Sequence, residues 1–208
     1  VQYWLDRMAT TPTPIVEKMA LFWHGNLASS TDAALPRHLF RQIKTYRALG
    51  LGDVHDLLQA MAIDPAMLQY LNNASNVAAQ PNENFARELM GLLTLGNGAF
   101  TEADVVGMAR AWTGYNYDAD GEQFIYRANK HDGGQKTIFG ITRRLRRAAA
   151  ITEIVRGSRQ QTCARYLATK VWSFFAYPSP APALVDDLAA AFITSGMNVK
   201  ALLRAVFL

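Results

Sequence analysis

Five residues of the chain are of types that could do acid–base or metal chemistry: Glu17, His24, Glu88, His131 and Asp132. Glu17 and His24 lie seven residues, or two helical turns, apart, and fall within about 20° of each other on a helical wheel. They form a narrow polar stripe on Pro14–Ala28, whose other faces carry Ile15, Val16, Met19, Leu21, Phe22, Trp23 and Leu27. A carboxylate and an imidazole so placed could line a pocket on a central helix, or the stripe could face solvent or pair locally. Glu88 flanks a second apolar stripe, Phe85, Leu89, Leu92 and Leu93, with Asn84 four residues earlier on the same edge. A carboxylate at the border of a core is either hydrogen-bonded to a neighbouring helix or held as a general base or ligand. His131-Asp132-Gly133-Gly134 puts an imidazole beside a carboxylate in flexible backbone. That suits metal or anion binding, and it is also plain turn chemistry. His24, His131 and Asp132 are the candidate metal ligands.

Other chemistry is not encoded in recognisable form. There is no phosphate-binding glycine loop, no serine nucleophile elbow, no His-Glu-x-x-His helix and no EF-hand loop. Gly96-Asn97-Gly98 lies between two helical patterns and reads as a cap and turn. Glu83 and Arg87, four apart, read as an ordinary surface pair. His38 and His55 sit on faces that read as exposed and receive no role. The single cysteine, Cys163, excludes an internal disulfide framework and a Cys-based zinc site, and its place on an apolar helical face reads as packing. No cofactor is assigned.

The elements that must position these residues are helical almost throughout. Helical periodicity predicts Pro14–Ala28, Pro36–Leu49, Asp53–Ala62, Asp64–Leu71, Asn82–Leu95, Thr101–Thr113, Arg147–Val155, Gln161–Ala176, Ala183–Thr194 and Val199–Phe207, and Tyr3-Trp4-Leu5 reads as the interior of another helix. Asn72–Pro81 reads as a loop. Between residues 114 and 140 the pattern changes. Tyr115–Tyr117 and Gln123–Tyr126 flank Asp118-Ala119-Asp120-Gly121 and predict a β-hairpin, with Thr137–Phe139 as a further short strand. The expected fold is all-α, a multi-helix orthogonal bundle with a small β-hairpin appendage near 114–140. Residues 1–208 are expected to form a single helical domain. Because the chain opens and closes inside helical patterns, it is expected to be a central fragment of a longer protein.

Half of the chain is apolar and 11% is aromatic, enough for a substantial core. No apolar run reaches the roughly 18–20 residues that a membrane-spanning helix needs. The net charge of +4 is uneven. Segment 141–177 holds eight Lys/Arg and one acid, Glu153, for +7, so the remainder sums to −3. The run Arg143-Arg144-Leu145-Arg146-Arg147 reads as a surface feature, since four guanidinium groups cannot be buried without matching acids. Nucleic acid is a poor candidate partner, because no aromatic reading surface or known reading module accompanies the charge.

Several of these runs together resemble a bacterial family catalogued as domain of unknown function 1800. The matching stretches are Glu17–His24, Asp64–Leu68, Pro81–Met90, Thr101–Val105, Ala109–Gly114, His131-Asp132 with Lys136, and Lys170–Phe175, in family order along nearly the whole chain. The resemblance brings no agreed activity. Family members are often exported and are typically encoded beside a second uncharacterised exported family, which implies a role in the cell envelope or outside the cell. Two positions depart from the family pattern. Asn26 stands where a second histidine is common, which removes a His-x-His metal pair, and Gly91 stands where an acid is usual. The four-arginine run lies outside the pattern.

Two functions follow as expectations. One is a non-enzymatic scaffold or partner-binding module of an exported assembly, with a protein partner. The other is a hydrolase-like or metal-dependent enzyme using Glu17, His24, Glu88, His131 and Asp132; its small-molecule substrate is not specified by the sequence.

Overall fold

Proline and short polar residues set where the helices begin. The computed structural model describes residues 2–118 and 123–208. Its helices are α1 (Gln2–Thr10), α2 (Pro14–Asn26), α3 (Pro36–Leu49), α4 (Val54–Met61), α5 (Pro65–Tyr70), α6 (Asn84–Glu88), α7 (Glu102–Ala111), α8 (Arg147–Val155), α9 (Gln160–Phe175), α10 (Pro182–Thr194) and α11 (Val199–Phe207). Proline opens α2, α3, α5 and α10, where its missing N–H has no helical partner to lose. Asp53, Asp64 and Asn198 accept the orphan amides of His55, Met67 and Ala201. Thr101 and Asp104 form a reciprocal capping box on α7. The protein is mostly helical, as its periodicity predicts.

One cluster of buried apolar side chains runs from α2 to α11. Phe22, Trp23, Phe85, Leu89 and Trp112 lie in it, and Phe85 stacks on Trp112 with ring centroids 5.4 Å apart. Trp172 is partly buried at the edge of the cluster. Cys163 is fully buried, and its thiol is pushed up to about 12 by desolvation. No helix among the described residues is long and apolar enough to cross a membrane.

The helix expected over Asn82–Leu95 is split. After α6 the chain widens into a π-helical turn over Leu89–Thr94, where the Leu95 amide reaches back five residues to Met90 O at 2.9 Å. This widening turns Leu92, expected in the core stripe, outward to 52% exposure. Helix-terminal carbonyls are left for other partners: Tyr166 Oη and Lys170 Nζ both donate to Leu92 O, at 2.8 and 3.0 Å.

The β-appendage is two separate ribbons rather than one hairpin with a third strand. β1 (Tyr115–Tyr117) pairs antiparallel with β2 (Phe124–Tyr126), and β3 (Lys136–Ile138) with β4 (Ile141–Arg143). The appendage therefore extends to 143, and Arg143 belongs to a strand. The turn expected between the first two strands lies, beyond Asp118, outside the described residues. Phe139 and Gly140 join β3 to β4 with φ of 54° and 79°. Positive φ at both central positions is the geometry that matches strand twist, and Asp104 Oδ1 supports the unusual Phe139 by accepting its amide at 2.6 Å.

Small and amide side chains dock the ribbons onto the helices. At Gly107 a Cβ would lie 2.3 Å from Thr137 O, so β3 rests directly on the α7 backbone. The segment expected as a loop at Asn72–Pro81 contains a short 3-10 turn, Asn73–Ser75, and two buried asparagines. Asn73 Nδ2 donates to Tyr115 O at 2.8 Å. Asn76 Nδ2 donates to Ala109 O at 2.9 Å, and its Oδ1 accepts Asn82 N at 3.0 Å. These amides stand in for a backbone ladder between loop, helix and strand.

Candidate functional site

The five candidate residues divide among three places: Glu17 and His24 share Trp4 and Arg47 as neighbours, His131 and Asp132 share a loop, and Glu88 lines a separate pocket. Glu17 is buried where α1, α2 and α3 meet. Arg7 Nε donates to its Oε1 at 2.6 Å, Arg47 Nε to both oxygens at 2.9 and 3.0 Å, and Trp4 Nε1 to Oε2 at 3.0 Å. Burial alone would raise its pKa, but the bonds from Arg7, Arg47 and Trp4 outweigh this and hold it below the ordinary carboxylate value. A carboxylate so fully occupied is a fastener between helices.

Asp132 and His131 are also engaged, at the other end of α7. Arg110 Nε donates to Asp132 Oδ2 at 2.6 Å, and the Gly134 amide to Asp132 Oδ1 at 2.8 Å. The bond from Arg110 keeps the Asp132 pKa low. Lys136, buried to 1% exposure, donates to the carbonyls of Asp132 and Gly134. His131 Nδ1 lies 2.8 Å from Thr113 O, so this nitrogen carries a proton. Burial pushes the His131 pKa down despite that bond. Arg110 of α7 and Thr113 just after it pin the loop. Among the described residues, no three His, Cys, Asp or Glu side chains come together in a way that could hold a metal ion.

His24 lines a groove of about 530 Å³ between α1 and α3, with Tyr3, Trp4, Leu39, Phe40 and Arg47. Its ring meets the Trp4 indole edge-on, centroids 5.5 Å apart, and desolvation lowers its pKa. The groove is mainly apolar, with Tyr3 59% and Phe40 42% exposed at its rim. His38, read as exposed, is instead 1% exposed, near Gln69, while His55 packs against Thr152 and Gln59 from α4. Both serve helix packing: His38 meets Gln69 of α5 and His55 meets Thr152 of α8.

Glu88 lines a pocket that gathers polar side chains from several helices. This cavity, about 460 Å³, is bounded by Asn26 from α2, Met67 and Tyr70 from α5, Asn84 and Glu88 from α6, Leu92 and Leu93 from the π turn, and Lys170 from α9. Lys170 Nζ donates to Asn26 Oδ1 at 2.6 Å as well as to Leu92 O. Burial lowers its pKa.

With this geometry in view, the comparisons with known proteins give one match. The sequence profile of the family described as "Protein of unknown function (DUF1800)" matches residues 1–208. The chain belongs to that family. No curated protein and no solved structure matches it.

Three of the DUF1800 runs, and a position just after a fourth, meet at the Glu88 pocket. Asn26 follows the Glu17–His24 run by two positions, Met67 belongs to Asp64–Leu68, Asn84 and Glu88 to Pro81–Met90, and Lys170 opens Lys170–Phe175. The departures from the DUF1800 pattern also have local reasons. Asn26 serves as an acceptor for Lys170. A Cβ at Gly91 would lie 2.8 Å from Asn97 Oδ1, so a side chain there would have to push the Asn97 amide aside. Lys170 was not among the residues singled out from sequence, yet its signal was present: it lies two turns after buried Cys163, on the same helical face. The basic face of α3 was missed too. Arg37, Arg41, Lys44 and Arg47 fall within an arc of about 120°, with Phe40 inside it and no acid on the helix.

Proposed function

We propose that this DUF1800 chain is a non-enzymatic partner-binding module of an exported assembly, and that its α1–α3 groove takes an acidic protein segment with large apolar anchors. The observation that carries the reading is the combination of an apolar groove with an acid-free helix beside it. Tyr3 and Phe40 meet edge-on at 6.2 Å, and Lys44 stands 4.8 Å above the Phe40 ring. Exposed aromatics act as anchors for a partner, and the basic side chains of α3 steer an oppositely charged one. The export follows the family resemblance. An enzyme built from Glu17, His24, Glu88, His131 and Asp132 has less support, because Glu17 and the His131-Asp132 loop are each held by their own ion pairs and hydrogen bonds.

The test uses a labelled amphipathic peptide with Phe and Leu at helical spacing and Glu elsewhere, followed by fluorescence anisotropy. Saturable binding that weakens with salt is expected. The double variant R41E/K44E should weaken it at least about tenfold, or 1.4 kcal/mol. A Lys-for-Glu peptide that binds equally well, or the absence of saturable binding, overturns the proposal.

A further inference from the structure

The pocket between α2, α5, α6 and α9 holds two opposite charges that do not meet. Glu88 makes no hydrogen bond or ion pair with any described residue, and Lys170, on the same pocket wall system, lies beyond ion-pair distance from it. Glu88 is half-buried, so water or a ligand completes its hydrogen bonds.

The remaining hydrogen-bonding capacity is divided by wall. Lys170 has three N–H groups; Asn26 and Leu92 take two of them, and the ammonium also stands 4.9 Å from the Tyr166 ring centroid, which leaves the third N–H without an oxygen acceptor. Asn26 Nδ2 reaches Leu93 O only at 3.5 Å, so this amide too retains donor capacity. On the α6 wall, Asn84 uses its Nδ2 on Leu71 O at 3.2 Å, which leaves its carbonyl oxygen as an acceptor beside the Glu88 carboxylate. The α2–α9 wall thus offers donors around a cation, and the α6 wall offers acceptors around an anion. Between them lie Met67, Leu71 and Leu93, with Tyr70 37% exposed at the mouth.

We propose that this pocket binds a free α-amino acid with an apolar side chain, its ammonium on Glu88 and Asn84 and its carboxylate on Lys170 and Asn26. A lone cation would be opposed by Lys170 and a lone anion by Glu88. A neutral sugar would meet both charges with dipoles only. A zwitterion matches each charge with its opposite, and its side chain meets the apolar floor. The volume of about 460 Å³ falls in the range of small-molecule pockets. This site is distinct from the α1–α3 groove and stands whether or not that groove takes a peptide.

The experiment is isothermal titration calorimetry of the full chain with L-leucine, L-methionine and L-phenylalanine at millimolar concentration. At least one should bind. Its amide, lacking the carboxylate, and its N-acetyl derivative, lacking the ammonium, should each lose about tenfold or more. Glu88→Gln should lose as much while its urea midpoint stays near wild type, because Glu88 has no partner to lose among the described residues. Phe40→Ser, in the groove, should leave amino-acid binding unchanged. No heat with any of the three amino acids overturns the proposal. So does equal binding of the amide and the N-acetyl compound, unaltered affinity in Glu88→Gln, or binding of monosaccharides alone.

Discussion

At the scale of single residues, charge type alone does not separate a site from a fastener. Glu17 and Glu88 both border apolar helical stripes and read alike in sequence. The difference lies in what comes from elsewhere: Arg7 from α1 and Arg47 from α3 close on Glu17, whereas no described residue closes on Glu88. Partners 10 and 30 residues away are not visible in a local pattern. Glu17→Gln is therefore expected to cost about 3 kcal/mol, the low end for breaking a buried pair, whereas Glu88→Gln should change stability little. Urea denaturation of the two variants checks this, and equal midpoints would show that the two carboxylates are misassigned. The arginine run divides in the same way. Arg147 Nη1 donates to Gln59 O at 3.0 Å and Gln59 Oε1 at 2.6 Å, and its guanidinium lies 5.7 Å from the Tyr115 ring centroid. Arg143 pairs with Glu153. Arg147→Gln should cost about 1–2 kcal/mol through these lost bonds, and Arg144→Gln with Arg146→Gln should stay within about 0.5 kcal/mol of wild type. Thermal melts of the two variants measure the contrast directly.

At the scale of elements, the helices were legible because their caps and periodicity are local. The prolines opening α2 and α5, the Thr101–Asp104 box and the Asn198 cap all work within four residues. The π turn was not legible. Its wider hydrogen bonding lets Thr94 Oγ1 reach Leu89 O at 2.6 Å and sends Leu92 outward, a choice set by α9 packing alongside. The second ribbon was half visible, since a Phe-Gly turn with both residues at positive φ needs Asp104 to hold it. Its docking rests on Gly107, where any side chain would meet the β3 backbone. Gly107→Ala should cost about 1–3 kcal/mol by overpacking, despite the better helix propensity of alanine. Amide hydrogen exchange should show lost protection in β3 and β4 beyond that in α2. Unchanged protection there would mean that the ribbon is held by other contacts.

At the scale of the whole molecule, the core was the most legible feature and the site the least. The apolar stripes of α2, α6, α7 and α9 had to meet somewhere, and Phe22, Trp23, Phe85 and Trp112 do meet. Which polar groups would be shut between those stripes depends on how the helices are placed, and that is fixed by contacts 60 to 150 residues apart, such as Lys170 with Asn26. The same enclosure sets how the protein responds to acid. His24 and His131 are held below their ordinary value of 6.5 by burial. A depressed histidine contributes stability that is present above its unfolded pKa and is lost as pH falls from there through the folded pKa. Glu17, Asp104 and Asp132 are held below their ordinary values of 4.5, 3.8 and 3.8. Burial acts against the shift at Glu17 and Asp104 and is outweighed by hydrogen bonds; at Asp132 the Arg110 bond leads. Their stabilisation is present above those values and is lost below them. Asp64, raised by burial, opposes this loss, since its folded form takes up a proton more readily. The urea midpoint should thus fall in two stages on acidification, one beginning near pH 6.5 and a larger one below about pH 4.5. His24→Gln with His131→Gln should flatten the first stage and leave the second. A midpoint that stays level down to about pH 4.5 in the wild-type chain would show that the imidazoles reach water more freely than their packing against Trp4 and Thr113 implies.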